Sequence, residues 1–138
     1  MNDRLIGIDF GLSKVGLSIS DPLKIISIPL KVIKYKKRKE LIIKLQEIAM
    51  ENDVRSFVIG YPLNMNNKKN EMTKLVDDLL EELKNLNFNV FLQDERLSSE
   101  SAKKIMHEQN MKTGKNKEKI DLIASTIILQ TFLDKGLS

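Results

Sequence analysis

The segment IGIDFGLSKVGLSISD, residues 6 to 21, decides how the rest of the chain is read. Successive side chains of a strand point to opposite faces, so over residues 4 to 10 Leu5, Gly7 and Asp9 share one face while Ile6, Ile8 and Phe10 share the other. Residues 15 to 20 repeat the pattern, with Val15, Leu17 and Ile19 opposite Gly16, Ser18 and Ser20. The loop GLSK, residues 11 to 14, is short enough to join the two runs as an antiparallel hairpin. One face of that hairpin is bulky and apolar. The other lacks bulk and ends in a carboxylate, Asp9, at a place where an apolar side chain would pack better.

Outward from the hairpin, IISIPLKVI predicts a third strand over 25 to 33, in which Pro29 marks an edge position or a bulge. The basic turn KYKKRK leads into a helix over 39 to 51, with Leu41, Ile42, Leu45, Ile48 and Ala49 on the helical period. SFVIG, residues 56 to 60, reads as a buried strand stopped by the breaker GYPLN. An amphipathic helix follows over 69 to 86, then a strand over 88 to 93. Ser98 or Ser99 caps a helix through 108. After the polar loop NMKTGKNKEK comes a last helix, 118 to 134, apolar almost all round and therefore expected to be buried. The order β-β-β-α-β-α-β-α-α predicts an α/β fold: a five-stranded mixed sheet flanked by helices on both faces, antiparallel at the front and parallel where βα crossovers follow. Residues 1–138 are expected to form a single domain.

Composition narrows the chemistry. The chain has no cysteine and one histidine, His107, so thiolate metal sites and Ser-His-Asp or Cys-His mechanisms have almost nothing to work with. No apolar run is long enough to span a bilayer, and the N-terminus enters a strand pattern directly, which predicts a cytoplasmic protein with no membrane partner. The 23 basic and 19 acidic residues give a net charge of +4, compatible with a polyanionic partner and equally with a lysine-rich solvated surface.

Three acids stand at element ends: Asp9 closing the first strand, Glu95 after the fifth, and Asp121 in the first turn of the last helix. Singly, each is ordinary loop or helix-dipole chemistry. Their surroundings set them apart. The last helix carries Asp121, Ala124, Ser125 and Ile128 at i, i+3, i+4 and i+7, a small-residue strip matching the bare face of the hairpin. Small against small permits close approach, which brings Asp121 toward Asp9, with Glu95 arriving from a neighbouring parallel strand. Clustered carboxylates repel unless a cation lies among them, and oxygen ligands without His or Cys select Mg²⁺ or Mn²⁺. Two such ions are a standard device for phosphodiester hydrolysis.

GIDFGLSKVGLSISD, VIGYPLNMN, DERLSS and IDLIASTIILQTFL resemble, in order and spacing, the four signature blocks of the YqgF/RuvX family of pre-16S rRNA nucleases and Holliday-junction-resolvase-like proteins. The likeness spans about residues 4 to 134. It implies a ribonuclease H-like fold, a metal site of Asp9, Glu95 and Asp121, and metal-dependent hydrolysis of nucleic-acid phosphodiesters in maturing the 5′ end of 16S rRNA, with RNA in ribosomal precursor particles as partner. Two departures stand out: Lys14 occupies a position where the family often has Arg, losing the bidentate fork but keeping the charge, and NKKNEM replaces a Gly-containing turn.

Around the acids, Arg96 either clamps a phosphate or makes a structural ion pair. Lys14 is a phosphate-binding candidate, Asn64 a substrate hydrogen-bonding one or a plain turn former, and Lys115 and Lys117 belong to a basic arm for nucleic-acid backbone or to a solvated loop. Three rival functions stay open. A four-way DNA junction is the alternative substrate, and a resolvase that cuts two strands symmetrically requires a two-fold dimer. No dimerisation stripe is visible, so a monomer acting on RNA is the expectation. A non-catalytic RNA- or ribosome-binding module is the second rival, and the retained acids argue against it. The third is an actin-like ATPase hairpin, which needs two such domains.

Overall fold

A computed structural model describes residues 4–63, 66, 68–95 and 117–135. The opening hairpin forms as β1 (Leu5–Asp9) and β2 (Lys14–Ser20), antiparallel, with Asp9 opposite Gly16. β3 (Ser27–Lys34) pairs antiparallel with β2 at one edge. Its register slips between Leu17 and Ser18, opposite Pro29, which accounts for both readings of that proline. Ile25 and Ile26, expected in this strand, instead sit exposed in the turn before it, where the Asp21 side chain accepts from both of their backbone N–H groups.

Helix α1 (Arg38–Glu51) crosses to β4 (Ser56–Tyr61), and α2 (Glu71–Asn85) to β5 (Asn89–Asp94). Both strands run parallel to β1, giving one sheet of order β3-β2-β1-β4-β5. α2 begins sharply because Asn70 and Thr73 cap one another reciprocally. The final described helix, α3 (Lys117–Asp134), packs on β1, β2 and β3. The helix expected over 98 to 108 lies outside the described residues.

The sheet separates two apolar layers. Ile6, Ile8, Val15, Leu17 and Ile19 face α1 and α2, together with Phe57 and Ile59. Leu5 and Val58 face α3, against Ile128, Leu129, Phe132 and Leu133. Helices therefore cover both faces, as expected. α3 is not buried all round: Ile123 and Ile127 are half-exposed and Thr131 is exposed, because only one stripe of it meets the sheet. Among the described residues, no helix is long and apolar enough to cross a membrane.

The bare face of the hairpin is where α3 docks. A Cβ on Gly7 would lie 2.8 Å from Leu129 Cβ, and one on Gly16 would lie 2.7 Å from the Asp121 carbonyl carbon. Real Cβ atoms do not approach so closely, so the glycines set the depth to which the helix settles. Hydroxyls then bind it: Ser125 Oγ donates to Gly7 O at 3.0 Å, and Ser18 Oγ donates to Ser125 O at 2.9 Å. All four groups are buried, so these bonds fix the sliding register of α3 at little net cost.

Candidate active site

Each acid is delivered by a separate element. Asp9 is the last residue of β1. Glu95 follows β5, and its backbone N–H donates to Tyr61 O at 3.2 Å, continuing the β4–β5 pairing by one residue. Tyr61 is itself tied to α2, donating its hydroxyl to Asp77 at 3.1 Å. Asp121 is the fifth residue of α3, hence in its second turn and not the first as expected.

Parallel pairing puts the ends of β1, β4 and β5 at one edge of the sheet, and there the Asp9 and Glu95 side chains hydrogen-bond to each other. Gly60 makes the room. A Cβ at that position would fall 3.0 Å from the Glu95 carboxyl carbon, so the missing side chain is the space into which Glu95 folds. Sequence reading overlooked this residue, although a glycine in the run SFVIGY is the available signal of a close approach.

The electrostatics follow from burial. Glu95 is pushed up to about 9, first by burial and then by the Asp9 charge, with the hydrogen bond to Asp9 and the charge of Asp94 adding to it. Asp9 is pushed up to about 6, mainly by burial; its hydrogen bond with Glu95 opposes the rise and the Asp121 charge adds to it. The pair therefore holds one proton near neutral pH, with Glu95 donating to the Asp9 carboxylate. Asp121 Oδ2 is buried and has no hydrogen-bond partner among the described residues. Lys14 Nζ stands 3.5 Å from that oxygen, close enough to attract it and too far for a charge-assisted hydrogen bond of ordinary length.

Among the described residues, no three acids or imidazoles are closed tightly enough to hold an ion as they stand. What is brought together is a proton-sharing pair, Asp9 and Glu95, with Asp121 as a third negative group near enough to perturb Asp9. Of the other sequence candidates, Lys14 is at the site. Lys117 starts α3. Asn64, Arg96 and Lys115 lie outside the described residues.

These shifts have a sign that can be tested. Both carboxyl groups are raised in the folded protein, so between about pH 4 and pH 9 the native state binds more protons than the unfolded chain. Their contribution is fully present at low pH and is lost as pH rises through about 6 and then about 9. In metal-free protein, Glu95→Gln keeps the shape but removes the Glu95 part of that loss. The difference in Tm between this variant and the parent is expected to widen from pH 5 to pH 8.5, and Mn²⁺ to raise the parent's Tm more at the higher pH. A difference that stays constant across that range rejects the buried-pair assignment.

Residues 3–135 match the model of the RuvX family, described as Holliday junction resolvase. A protein of Ruminiclostridium cellulolyticum named "Putative pre-16S rRNA nuclease" is 38% identical over 134 residues, covering 96% of this chain and 94% of that one. A protein of the same name from Mycoplasmopsis synoviae is 41% identical, covering 95% and 97%. Among solved structures, fowlpox virus resolvase in complex with Holliday junction DNA superposes with a TM-score of 0.60 at 10% identity, over 98% of this chain and 99% of that one. At that identity the likeness is one of architecture, the ribonuclease H-like fold.

Proposed function

The chain belongs to the RuvX family, and from that premise we propose that it is a divalent-metal-dependent nuclease that trims the 5′ end of pre-16S rRNA, with Asp9, Glu95 and Asp121 as its metal-binding and catalytic residues. The observation that carries this reading is the buried, proton-sharing Asp9–Glu95 pair with the Asp121 charge near enough to perturb it, the buried Asp121 Oδ2 being met among the described residues by Lys14 at 3.5 Å without a hydrogen bond. Such an arrangement is costly for the protein alone, and its remedy is a cation. The donors are all oxygen, which fits Mg²⁺ or Mn²⁺, and three carboxylates suit a pair of ions. Bound there, the ions supply a water activated for attack and charge stabilisation of the phosphate and leaving oxygens.

The chain's own residues do the rest. Asp9 lies centrally, at the end of β1, between Glu95 from β5 and Asp121 from α3. Glu95 holds the shared proton in the metal-free protein and would have to release it to act as a ligand, so ligand capacity rises with pH. Lys14 is poised to leave Asp121 for a substrate phosphate, its single long contact being partly exposed and of small worth. Family membership across nearly the whole chain favours this reading over an ATPase and over a binding module without hydrolysis.

The name of the matched family favours a second reading, hydrolysis of four-way DNA. Incubating the purified protein with labelled pre-16S rRNA and, separately, a synthetic four-way junction, each with and without Mn²⁺, distinguishes them. Cleavage of the rRNA near its 5′ end only in the presence of metal is the expected result. Symmetric nicking of the junction with the rRNA left intact establishes the second reading, and no cleavage of either rejects both.

A further inference from the structure

Among the described residues, the basic turn KYKKRK is a strong sequence feature that the site above does not use. It lies beside that site. Lys14 and Lys34 face each other across the β2–β3 pairing, and Tyr35 N–H donates to Ser13 O at 3.0 Å. The Tyr35 hydroxyl donates to Gly11 O, tying the start of the turn to the loop that follows Asp9. Between these elements runs an open groove of about 560 Å³ lined by Ser13, Lys14, Lys34, Tyr35, Lys36 and Glu40. Lys14 is common to the groove and to the acidic site, through Asp121.

The geometry points to this groove as the path of the substrate strand leaving the reacting phosphate: Lys14, Lys34 and Lys36 form a backbone-binding subsite for the phosphodiesters next along the chain. The inference rests on the nuclease reading. Neighbouring strands are spaced by ~4.8 Å, so β1 to β3 covers about 10 Å, and the lysines begin directly beside the carboxylates. Lys34 is paired with Glu118 at 3.0 Å, but both side chains are more than half exposed, and such a pair yields readily to a phosphate. Glu40 is the one acid in the lining against three lysines. The groove on the other side of β3 differs, since Glu47 and Glu51 stand against Lys31, Lys34 and Lys44 there. Of these two grooves, the one that contains Lys14 carries the larger excess of positive charge. Tyr35 is held by its hydroxyl, so it fixes the groove wall and leaves recognition to charge, which RNA and DNA strands satisfy alike.

The test uses the full chain with a labelled single-stranded RNA and a DNA strand of the same sequence. For Lys34→Ala with Lys36→Ala, the slope of log affinity against log salt is expected to flatten by about 1.4, two contacts at ~0.7 each, and KM for cleavage to rise several-fold. Lys34→Arg with Lys36→Arg keeps the charge and is expected to keep the parent's slope. Lys84→Ala, on α2 beside β4 and β5, is the remote control. A double alanine variant that matches the Lys84→Ala control in slope and KM overturns the groove while leaving the nuclease reading intact. So does an arginine pair that flattens the slope as alanine does. A parent protein that cleaves neither pre-16S rRNA nor the four-way junction overturns the nuclease reading itself. Equal flattening with RNA and DNA identifies the ligand as the shared phosphodiester backbone; flattening with RNA alone identifies it as ribose-containing strand.

Discussion

Asp9→Asn is expected to lower metal-dependent cleavage by about three orders of magnitude, ~4 kcal/mol of lost transition-state stabilisation, while making the metal-free protein more stable at pH 8. The two effects have one cause. The carboxylate lies at the end of a buried strand, within hydrogen-bond reach of Glu95 and under the influence of Asp121. In a nuclease its charge is wanted for cations. In the metal-free protein the same charge is a burden, since burial pushes Asp9 up to about 6. The amide has nearly the same shape and can still hydrogen-bond Glu95, so packing is preserved and only the charge is lost.

A purely structural acid behaves otherwise: removing it costs stability and leaves cleavage in proportion to the folded fraction. Measuring Tm without metal, Tm with Mn²⁺ and the initial cleavage rate on one preparation separates the cases. Loss of activity with a raised metal-free Tm, and loss of the Mn²⁺-induced rise, marks Asp9 as a ligand. Activity within a few-fold of the parent removes it from the chemistry.

What could be read in the sequence was whatever has a period. Alternation in residues 4 to 20 fixed which side of β1 and β2 faces each layer, and the strip Asp121, Ala124, Ser125, Ile128 located the surface of α3 that meets them. Boundaries were less legible where a side chain, and not a period, sets them. The apolar Ile25 and Ile26 look like strand, but the Asp21 carboxylate captures their N–H groups and holds them in a turn. The apolar face-round composition of α3 suggested full burial, yet among the described residues it meets the sheet on one side alone. At the site, spacing nominated the three acids but could not show that two of them share a proton, because the contact depends on Gly60 being empty and on β5 pairing one residue past its end. The glycine in SFVIGY signals a close approach, but which side chain enters that space is settled by the pairing of β5 and has no local signature.

The glycine opposite Asp9 gives the largest stability effect. Gly16→Ala is expected to destabilise the protein by about 2 kcal/mol, ~8 °C in Tm, and to reduce cleavage roughly 100-fold. The backbone of Gly16 is not in the left-handed region, so alanine meets no conformational strain there and even loses less entropy on folding. Space decides the outcome. The added Cβ would lie 2.7 Å from the Asp121 carbonyl carbon and 3.1 Å from its Cβ, and it would press harder still on the carbonyl oxygen. Helix backbone cannot rotate aside as a side chain can, so the start of α3 must move away from the sheet, taking the Asp121 carboxylate with it. Displacement of a reacting group by about 1 Å suffices for a 100-fold loss. Gly60→Ala provides the contrast: its nearest neighbours are the Ile128 Cδ1 at 2.6 Å and the Glu95 carboxyl at 3.0 Å, both ends of flexible side chains. That substitution is expected to cost less stability than Gly16→Ala and still to impair cleavage, by pushing Glu95 off Asp9. If the two variants instead show equal losses of Tm, or if Gly16→Ala retains both Tm and activity, the close seating of α3 on the hairpin is not what places the third acid.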